Sequence, residues 1–113
     1  MEIGMSWIKV VRVDDVPDDG TLRVIIREQP VCLYKIDGAV FATHDTCTHA
    51  DASLADGFIV DSSRIECPLH QGLFDIRTGK AVGVPCTIDL QTYAVKMESG
   101  EVYLRDPVVA EKP

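Results

Sequence analysis

The sequence predicts an all-β protein, folded as an antiparallel sandwich or barrel. Two observations support this prediction. Short runs rich in β-branched and aromatic residues recur along the chain, and several alternate apolar with polar residues, as a half-buried strand does. In addition, no long stretch shows the period of an amphipathic helix. The 113 residues are enough for one domain with its own core, so we predict a single domain over residues 1–113.

Turn-forming residues separate the predicted strands. The strands cover, in chain order, residues 7–11, 21–26, 31–36, 40–43, 64–67, 73–75, 93–97 and 102–104. Asp37-Gly38 predicts the tightest hairpin, because this pair suits a turn that needs positive φ. A second hairpin is expected at Ser99-Gly100, and residues 14–17 are expected to form a brief helical turn.

Charge and hydropathy exclude several classes of function. The net charge is −7, which argues against binding to nucleic acid, whose phosphates need Lys and Arg, and against anionic membranes. No apolar run approaches the roughly 18–20 residues that span a bilayer. Residues 1–5 lack the basic and apolar regions of a secretory signal, so we expect a cytoplasmic protein. The acidic surface either serves solubility or steers the protein toward a basic patch on a partner.

Two short motifs carry most of the chemistry. Cys47-Thr48-His49 and Cys67-Pro68-Leu69-His70 each supply one thiolate and one imidazole, with seventeen residues between them. This is the ligand set of a Rieske [2Fe–2S] centre, in which two His replace two Cys on one iron and raise the potential. Both motifs are expected on loops, where a rigid β scaffold often carries its functional residues. The candidate metal ligands are therefore Cys47, His49, Cys67 and His70.

Two other interpretations of these four residues stay open. Structural zinc accepts two Cys and two His in a tetrahedron, although zinc fingers usually keep like ligands together. The pattern could also arise by chance from buried thiols and hydrogen-bonded core histidines. The remaining cysteines, Cys32 and Cys86, have apolar neighbours in the sequence and are expected to be buried thiols rather than a disulfide.

Other residues near the motifs are expected to be structural. His44 is interpreted as an exposed or hydrogen-bonded loop residue, not as a third imidazole ligand, and Trp7 as a packing residue. Four acidic residues flank the motifs and form either an acidic rim for a basic partner or solvated loop positions: Asp45, Asp51, Asp56 and Glu66. The sequence shows no paired carboxylates, activated nucleophile or glycine-rich phosphate loop, so we expect no enzyme activity from the chain alone.

The residues around both motifs resemble those of a known family. The chain resembles, over nearly its whole length, the Rieske-type ferredoxins of bacterial aromatic-ring-hydroxylating oxygenase systems. Residues 7–10, 42–49, 66–75 and 78–81 carry the resemblance, above all the second motif and its continuation through Phe74-Asp75 and Thr78-Gly79. It implies a Rieske-type antiparallel β-sandwich with a small cluster-binding subdomain formed by two loops, at about residues 45–85, and one Rieske [2Fe–2S] cluster.

The resemblance also implies a role for each ligand. Cys47 and Cys67 would bind the inner ferric iron, whereas His49 and His70 would bind the outer, reducible iron with their rings near the surface. A third loop, residues 83–85, would cover the cluster. Such a loop matters because hydrogen bonds to sulfur and exclusion of water tune the potential.

The chain departs from the high-potential relatives of this family in ways that predict a low potential. Leu69 and residues 50–52 leave no cysteine pair for the disulfide that those relatives carry across the site. Gly72 and Phe74 stand where those relatives have Ser and Tyr hydroxyl groups that hydrogen-bond the cluster region. Fewer donors leave the reduced cluster less stabilised, which predicts a potential in the lower part of the Rieske range of about −150 to +300 mV.

The resemblance implies that the chain carries single electrons. A flavoprotein reductase would oxidise NADH and reduce this ferredoxin, which would then reduce a terminal Rieske non-haem iron ring-hydroxylating oxygenase. We expect the carrier to be a monomer. Two alternatives from other classes are the small subunit of an assimilatory nitrite reductase, many of whose members lack the cluster ligands, and a zinc-stabilised interaction module.

Overall fold

The computed structural model describes residues 7–105, which form eleven strands. In chain order these are β1 (Trp7–Arg12), β2 (Gly20–Ile26), β3 (Gln29–Ile36), β4 (Ala39–His44), β5 (Phe58–Val60), β6 (Arg64–Glu66), β7 (Leu73–Asp75), β8 (Ala81–Gly83), β9 (Thr92–Tyr93), β10 (Val95–Glu98) and β11 (Glu101–Arg105). Two short 3-10 turns, Val13–Asp15 and Leu54–Asp56, are the helical elements of the described residues.

The strands form three antiparallel sheets. Sheet 1 has the order β1-β11-β10, sheet 2 the order β2-β3-β4-β9, and sheet 3 the order β5-β6-β7-β8. Every strand pair in these sheets is antiparallel. The all-β prediction is therefore confirmed, and sheets 1 and 2 form the sandwich.

Strand β3 is buried on both faces and joins two hydrophobic cores. Val31 and Leu33 point to one side, into the core between sheets 1 and 2. Cys32, Tyr34 and Ile36 point to the other side, into a core shared with sheet 3 and the loops around it. Alternation along the strand separates the two sets, because successive side chains point to opposite faces. The second core anchors the loops that carry the two sequence motifs.

Both predicted hairpin turns are present. Asp37 and Gly38 link β3 to β4 with φ values of 52° and 81°. Ser99 and Gly100 link β10 to β11 with φ values of 53° and 79°. Positive φ at both central positions is what a type I′ hairpin turn requires, which explains the glycine in each pair.

The structure differs from the sequence prediction at three places. Strands β5 and β8 were not predicted, so the motif-bearing region is a small sheet as well as two loops. The single predicted strand over 93–97 is two strands, β9 in sheet 2 and β10 in sheet 1. The chain crosses between sheets at Ala94, which a continuous apolar pattern does not reveal. The helical turn expected at 14–17 lies at Val13–Asp15.

Two further expectations concern membrane crossing and the N-terminal residues. No helix within residues 7–105 is long and apolar enough to cross a membrane. The expectation for residues 1–5, that they form no secretory signal, lies outside the described residues.

Candidate metal centre

The first motif lies on the loop that follows β4, and Asp45 fixes the start of this loop. The Asp45 carboxylate accepts a hydrogen bond from the Ala55 N–H (3.0 Å) and lies 3.2 Å from Nε of Arg23. Its backbone carbonyl accepts from the Leu54 N–H (2.8 Å), across the loop. Cys47 is held inside the loop, where its N–H donates to the carbonyl of Ala52 (2.9 Å).

The second motif lies on the loop between β6 and β7. The Cys67 N–H donates to the carbonyl of Gly72 (2.8 Å), which closes the loop at its base. His70 and Gln71 adopt φ values of 65° and 60°, in the left-handed region that residues with a side chain seldom occupy. The chain therefore reverses within the loop and leaves His70 exposed at its tip, while Cys67 stays buried.

The two loops bring their imidazoles together. His49 Nε2 lies 3.1 Å from His70 Nδ1, and the ring centroids are 5.0 Å apart at an interplanar angle of 68°. The other ring nitrogen of His49, Nδ1, lies 3.8 Å from Sγ of Cys47. The site therefore runs from buried thiols to a half-buried and an exposed imidazole.

The buried thiols influence one another. Burial raises the pKa of Cys67 to about 11; a hydrogen bond from the backbone at Leu69 opposes this rise, and the neighbouring Cys47 thiol adds to it. A metal reverses this preference, because it binds the thiolate and displaces the proton.

Cys86 is a third thiol in the site, whereas its sequence neighbours predict only a buried thiol. Its Sγ lies 4.0 Å from Sγ of Cys47. Candidate ligand atoms of Cys47, His49 and Cys86 all lie within 4.8 Å of one another, and this group includes neither Cys67 nor His70. Burial raises the pKa of Cys86 to about 12, and the charge of Cys47 adds to this shift. The signal available in the sequence was its place directly after Pro85, the last residue of the loop expected to cover the site.

The donor set fits a [2Fe–2S] cluster of mixed ligation. Soft thiolate sulfur suits the inner iron, and neutral imidazole suits the iron near solvent. The structure brings His49 close to both Cys47 and His70, and the thiol of Cys67 interacts with that of Cys47. All four cysteines are buried and free, as expected for Cys32 and Cys86.

Two residues near the motifs differ from their sequence interpretation. Asp45 is 1% exposed and paired with Arg23, so it is neither on an acidic rim nor solvated. Asp51 and Asp56 are exposed, and Glu66 is half-buried. His44 is the last residue of β4 rather than a loop residue, and it is not part of the group formed by Cys47, His49 and Cys86.

Exposed apolar side chains lie on the segments next to the site. Leu69, next to His70, is 44% exposed, Val84 is 83% exposed and Ile88 is 64% exposed. Ile88 is tied to the first motif, because the Thr48 hydroxyl donates to its carbonyl (2.6 Å). We call these three residues the apolar collar.

Comparison with known proteins identifies the class. The sequence profile of the Rieske [2Fe–2S] domain matches residues 6–94. The chain therefore belongs to the Rieske [2Fe–2S] family, and it carries one such cluster. The zinc-stabilised module is set aside by this match.

Proteins of similar sequence show that this member of the Rieske family is a ferredoxin. The chain is 46% identical over 100 residues to the ferredoxin component of the 2,4-dinitrotoluene dioxygenase system of Burkholderia sp. (strain RASC), covering 88% of this chain and 95% of that one. It is 42% identical, with the same coverage, to the ferredoxin component of the naphthalene 1,2-dioxygenase/salicylate 5-hydroxylase systems of Ralstonia sp.. The protein is thus a ferredoxin, an electron carrier rather than a catalytic oxygenase.

A solved structure shares this fold. The complex of reduced oxygenase and oxidised ferredoxin in carbazole 1,9a-dioxygenase contains a chain with a TM-score of 0.81 and 38% identity, covering 88% of this chain and 93% of that one. A solved chain described as the small subunit of a putative nitrite reductase is 20% identical, which shows the fold alone. The nitrite reductase alternative is therefore less supported than the ferredoxin.

Proposed function

We propose that this ferredoxin carries single electrons from an NADH-dependent flavoprotein reductase to a terminal Rieske non-haem iron oxygenase that hydroxylates aromatic rings. The observation that carries the proposal is the pair of imidazoles, 3.1 Å apart, at the exposed end of a buried thiol site. The names of the two dioxygenase-system relatives support the choice of partner. We further propose that the chain is a single domain, monomeric and cytoplasmic.

The proposed ligands are Cys47 and Cys67 on the inner iron and His49 and His70 on the outer iron. When bound, the cluster supplies a one-electron couple whose potential depends on ligand charge and on hydrogen bonds to sulfur. The protein holds the two thiols away from water in the core shared with sheet 3. It exposes His70 at the tip of the second loop, so that a partner can approach this end of the site.

The apolar collar supports docking at the imidazole end. Leu69 lies on the second motif loop, whereas Val84 and Ile88 lie in the segment between β8 and β9, and each is exposed by 44% or more. A shuttle must release each partner quickly, and redox complexes of this kind have small interfaces. A few exposed apolar side chains around the point of transfer suit such a brief contact.

Metal content and spectroscopy test the cluster. Iron, zinc and acid-labile sulfide should be assayed on the purified protein, with EPR after dithionite reduction. We expect two irons per chain and a rhombic signal from a mixed-ligand cluster. Zinc in place of iron, with no EPR signal, would contradict the electron-transfer proposal.

Docking is tested by a pair of matched variants. Val84→Asp places a charge in the apolar collar, whereas Met97→Asp places the same charge on β10 of sheet 1, at a residue 43% exposed. With a purified reductase and oxygenase of this class, Val84→Asp should slow reduction of the oxygenase at an unchanged midpoint potential. Met97→Asp should leave the rate unchanged. Equal rates for both variants would rule out docking through the collar.

A further inference from the structure

Cys86 touches the site without belonging to the proposed ligand set. Its side chain is 4% exposed, and its Sγ lies 4.0 Å from Sγ of Cys47. It comes from neither motif loop, since it follows β8 and the Val84-Pro85 pair. Two thiolates and two imidazoles already complete the cluster, so the Cys86 sulfur is a fifth donor with no metal position to fill.

The Cys86 sulfur also fills a defined space in the second loop. A Cβ atom built on Gly72 would overlap Sγ of Cys86 and would crowd its Cβ at 3.3 Å and its backbone nitrogen at 3.4 Å. Gly72 is the residue whose carbonyl accepts the hydrogen bond from the Cys67 N–H (2.8 Å). The Cys86 thiol therefore occupies the space that any side chain at position 72 would need, beside both ligand thiols.

The geometry points to Cys86 as a positioning residue whose S–H group donates a hydrogen bond to the Cys47 sulfur and raises the reduction potential of the cluster. A buried thiol away from a metal stays in its neutral form and is a weak donor. A donor to a ligand sulfur draws off part of the negative charge that the cluster gains on reduction. The inference rests on the proposed ligand set, because it assumes that Cys47 binds iron and Cys86 does not.

The test compares midpoint potentials, followed by visible absorption during a redox titration of the cluster-loaded protein. Cys86→Ala removes the donor and should shift the potential downward. Cys86→Ser keeps a hydroxyl donor at the same place and should hold the potential at or above that of the parent protein. Cys32→Ala is the control: it removes a fully buried thiol whose Sγ lies against the Leu33 carbonyl and that is not in the proposed ligand set, and it should leave the potential unchanged.

Two outcomes of this titration would overturn the inference. An unchanged potential in Cys86→Ala would show that the thiol does not tune the cluster. An equal downward shift in Cys86→Ala and Cys86→Ser would show that packing, not hydrogen bonding, sets the potential.

A second pair of variants tests the contact itself. Gly72→Ala should lower the iron content, because the added methyl group overlaps the Cys86 sulfur. Adding Cys86→Ala to it should restore the iron content, with the lower potential of the Cys86→Ala protein. A Gly72→Ala protein with full iron content and the parent potential would contradict the placement of Cys86.

Iron content separates failure of this inference from failure of the ligand set. If Cys86→Ala stays folded by circular dichroism but loses iron, while Cys67→Ser keeps it, then Cys86 is a ligand and both proposals are wrong. If Cys86→Ala keeps iron at the parent potential and Cys67→Ser loses iron, the ligand set stands and the tuning role alone is wrong.

Discussion

Nε of Arg23 on β2 lies 3.2 Å from the Asp45 carboxylate at the start of the first motif loop. The Asp45 side chain is 2% exposed, whereas that of Arg23 is 53% exposed. The same carboxylate accepts the Ala55 N–H (3.0 Å) from the far side of the loop. Sheet 2 and both ends of the loop that carries Cys47 are thus joined through one side chain.

The contacts of Asp45 predict that its substitutions lower the free energy of unfolding by different amounts. Asp45→Asn keeps an acceptor for Ala55 but loses the ion pair, which should cost about 1 kcal/mol because Arg23 is half solvated. Asp45→Ala also leaves the Ala55 N–H without its acceptor and should cost about 2–3 kcal/mol. Unfolding in urea, followed by circular dichroism and visible absorption, measures both. Arg23→Gln leaves the buried Asp45 carboxylate without its cation and should cost more than Asp45→Asn; equal stability of Asp45→Ala and the parent protein would contradict the anchoring role.

Asp45 and Cys86 show where sequence reasoning stops. The spacing of the ligands identifies the cluster motifs, because each motif consists of residues that lie close together in the sequence. The sequence around Asp45 does not distinguish it from an ordinary loop carboxylate. Its structural role depends on the contact with Arg23, which lies on a distant strand. Cys86 is 39 residues from Cys47 along the chain, and their contact depends on how sheet 3 folds against β3.

Two strands of sheet 3 could not be predicted from the sequence for a similar reason. Residues 58–60 and 81–83 are runs of three, too short for an alternating pattern to stand out. They become strands because they pair with β6 and β7, which the sequence predicts as strands. The long strands and both tight turns were predictable, since each carries a local signal.

Exchange of one imidazole for a thiolate tests the ligand assignment. His70→Cys adds negative charge at the outer iron and should lower the midpoint potential by on the order of 100 mV, or abolish cluster assembly. His44→Cys makes the same exchange at the end of β4, at a residue outside the proposed ligand set, and should leave both potential and iron content unchanged. Voltammetry with an iron assay measures the effect. An unchanged potential in fully loaded His70→Cys would rule out His70 as a ligand.

The parent potential is itself a prediction. Gly72 and Phe74 are buried and provide no hydroxyl group, so the reduced cluster has few donors around it. We expect a midpoint potential in the lower part of the Rieske range of about −150 to +300 mV. Such a value suits a carrier reduced at the expense of NADH. A potential near the top of that range would show that hydroxyl donors at these two positions are not needed for a high potential.

The net charge of −7 predicts how electron transfer responds to salt. Asp51 and Asp56 are exposed near the first motif and would attract a basic patch on a partner. Salt screens such attraction over about 10 Å at 0.1 M, so reduction of the oxygenase should slow by roughly tenfold from low to high ionic strength. Stopped-flow measurement of the second-order rate tests this. A rate independent of salt would leave the acidic surface a role in solubility alone.

The burial of the Cys32 thiol predicts that the protein loses stability at alkaline pH. Burial raises the pKa of its thiol well above the ordinary value, with an opposing hydrogen bond from Tyr34 and a small rise from the charge of Asp45. The folded protein therefore keeps the proton that the unfolded chain releases above about pH 8.5. Since the unfolded state then binds fewer protons, stability is full below that pH and falls as the pH rises, by about 2 kcal/mol at pH 10.

The measurement compares the parent protein with Cys32→Ala in urea at pH 7.5 and at pH 10. Cys32→Ala leaves a small cavity and is less stable at both pH values, but it should lose about 2 kcal/mol less than the parent protein between them. Cys67 and Cys86 are present in both proteins, so their titration cancels from the comparison. Equal losses in the two proteins would show that the Cys32 thiol does not set the alkaline limit of stability.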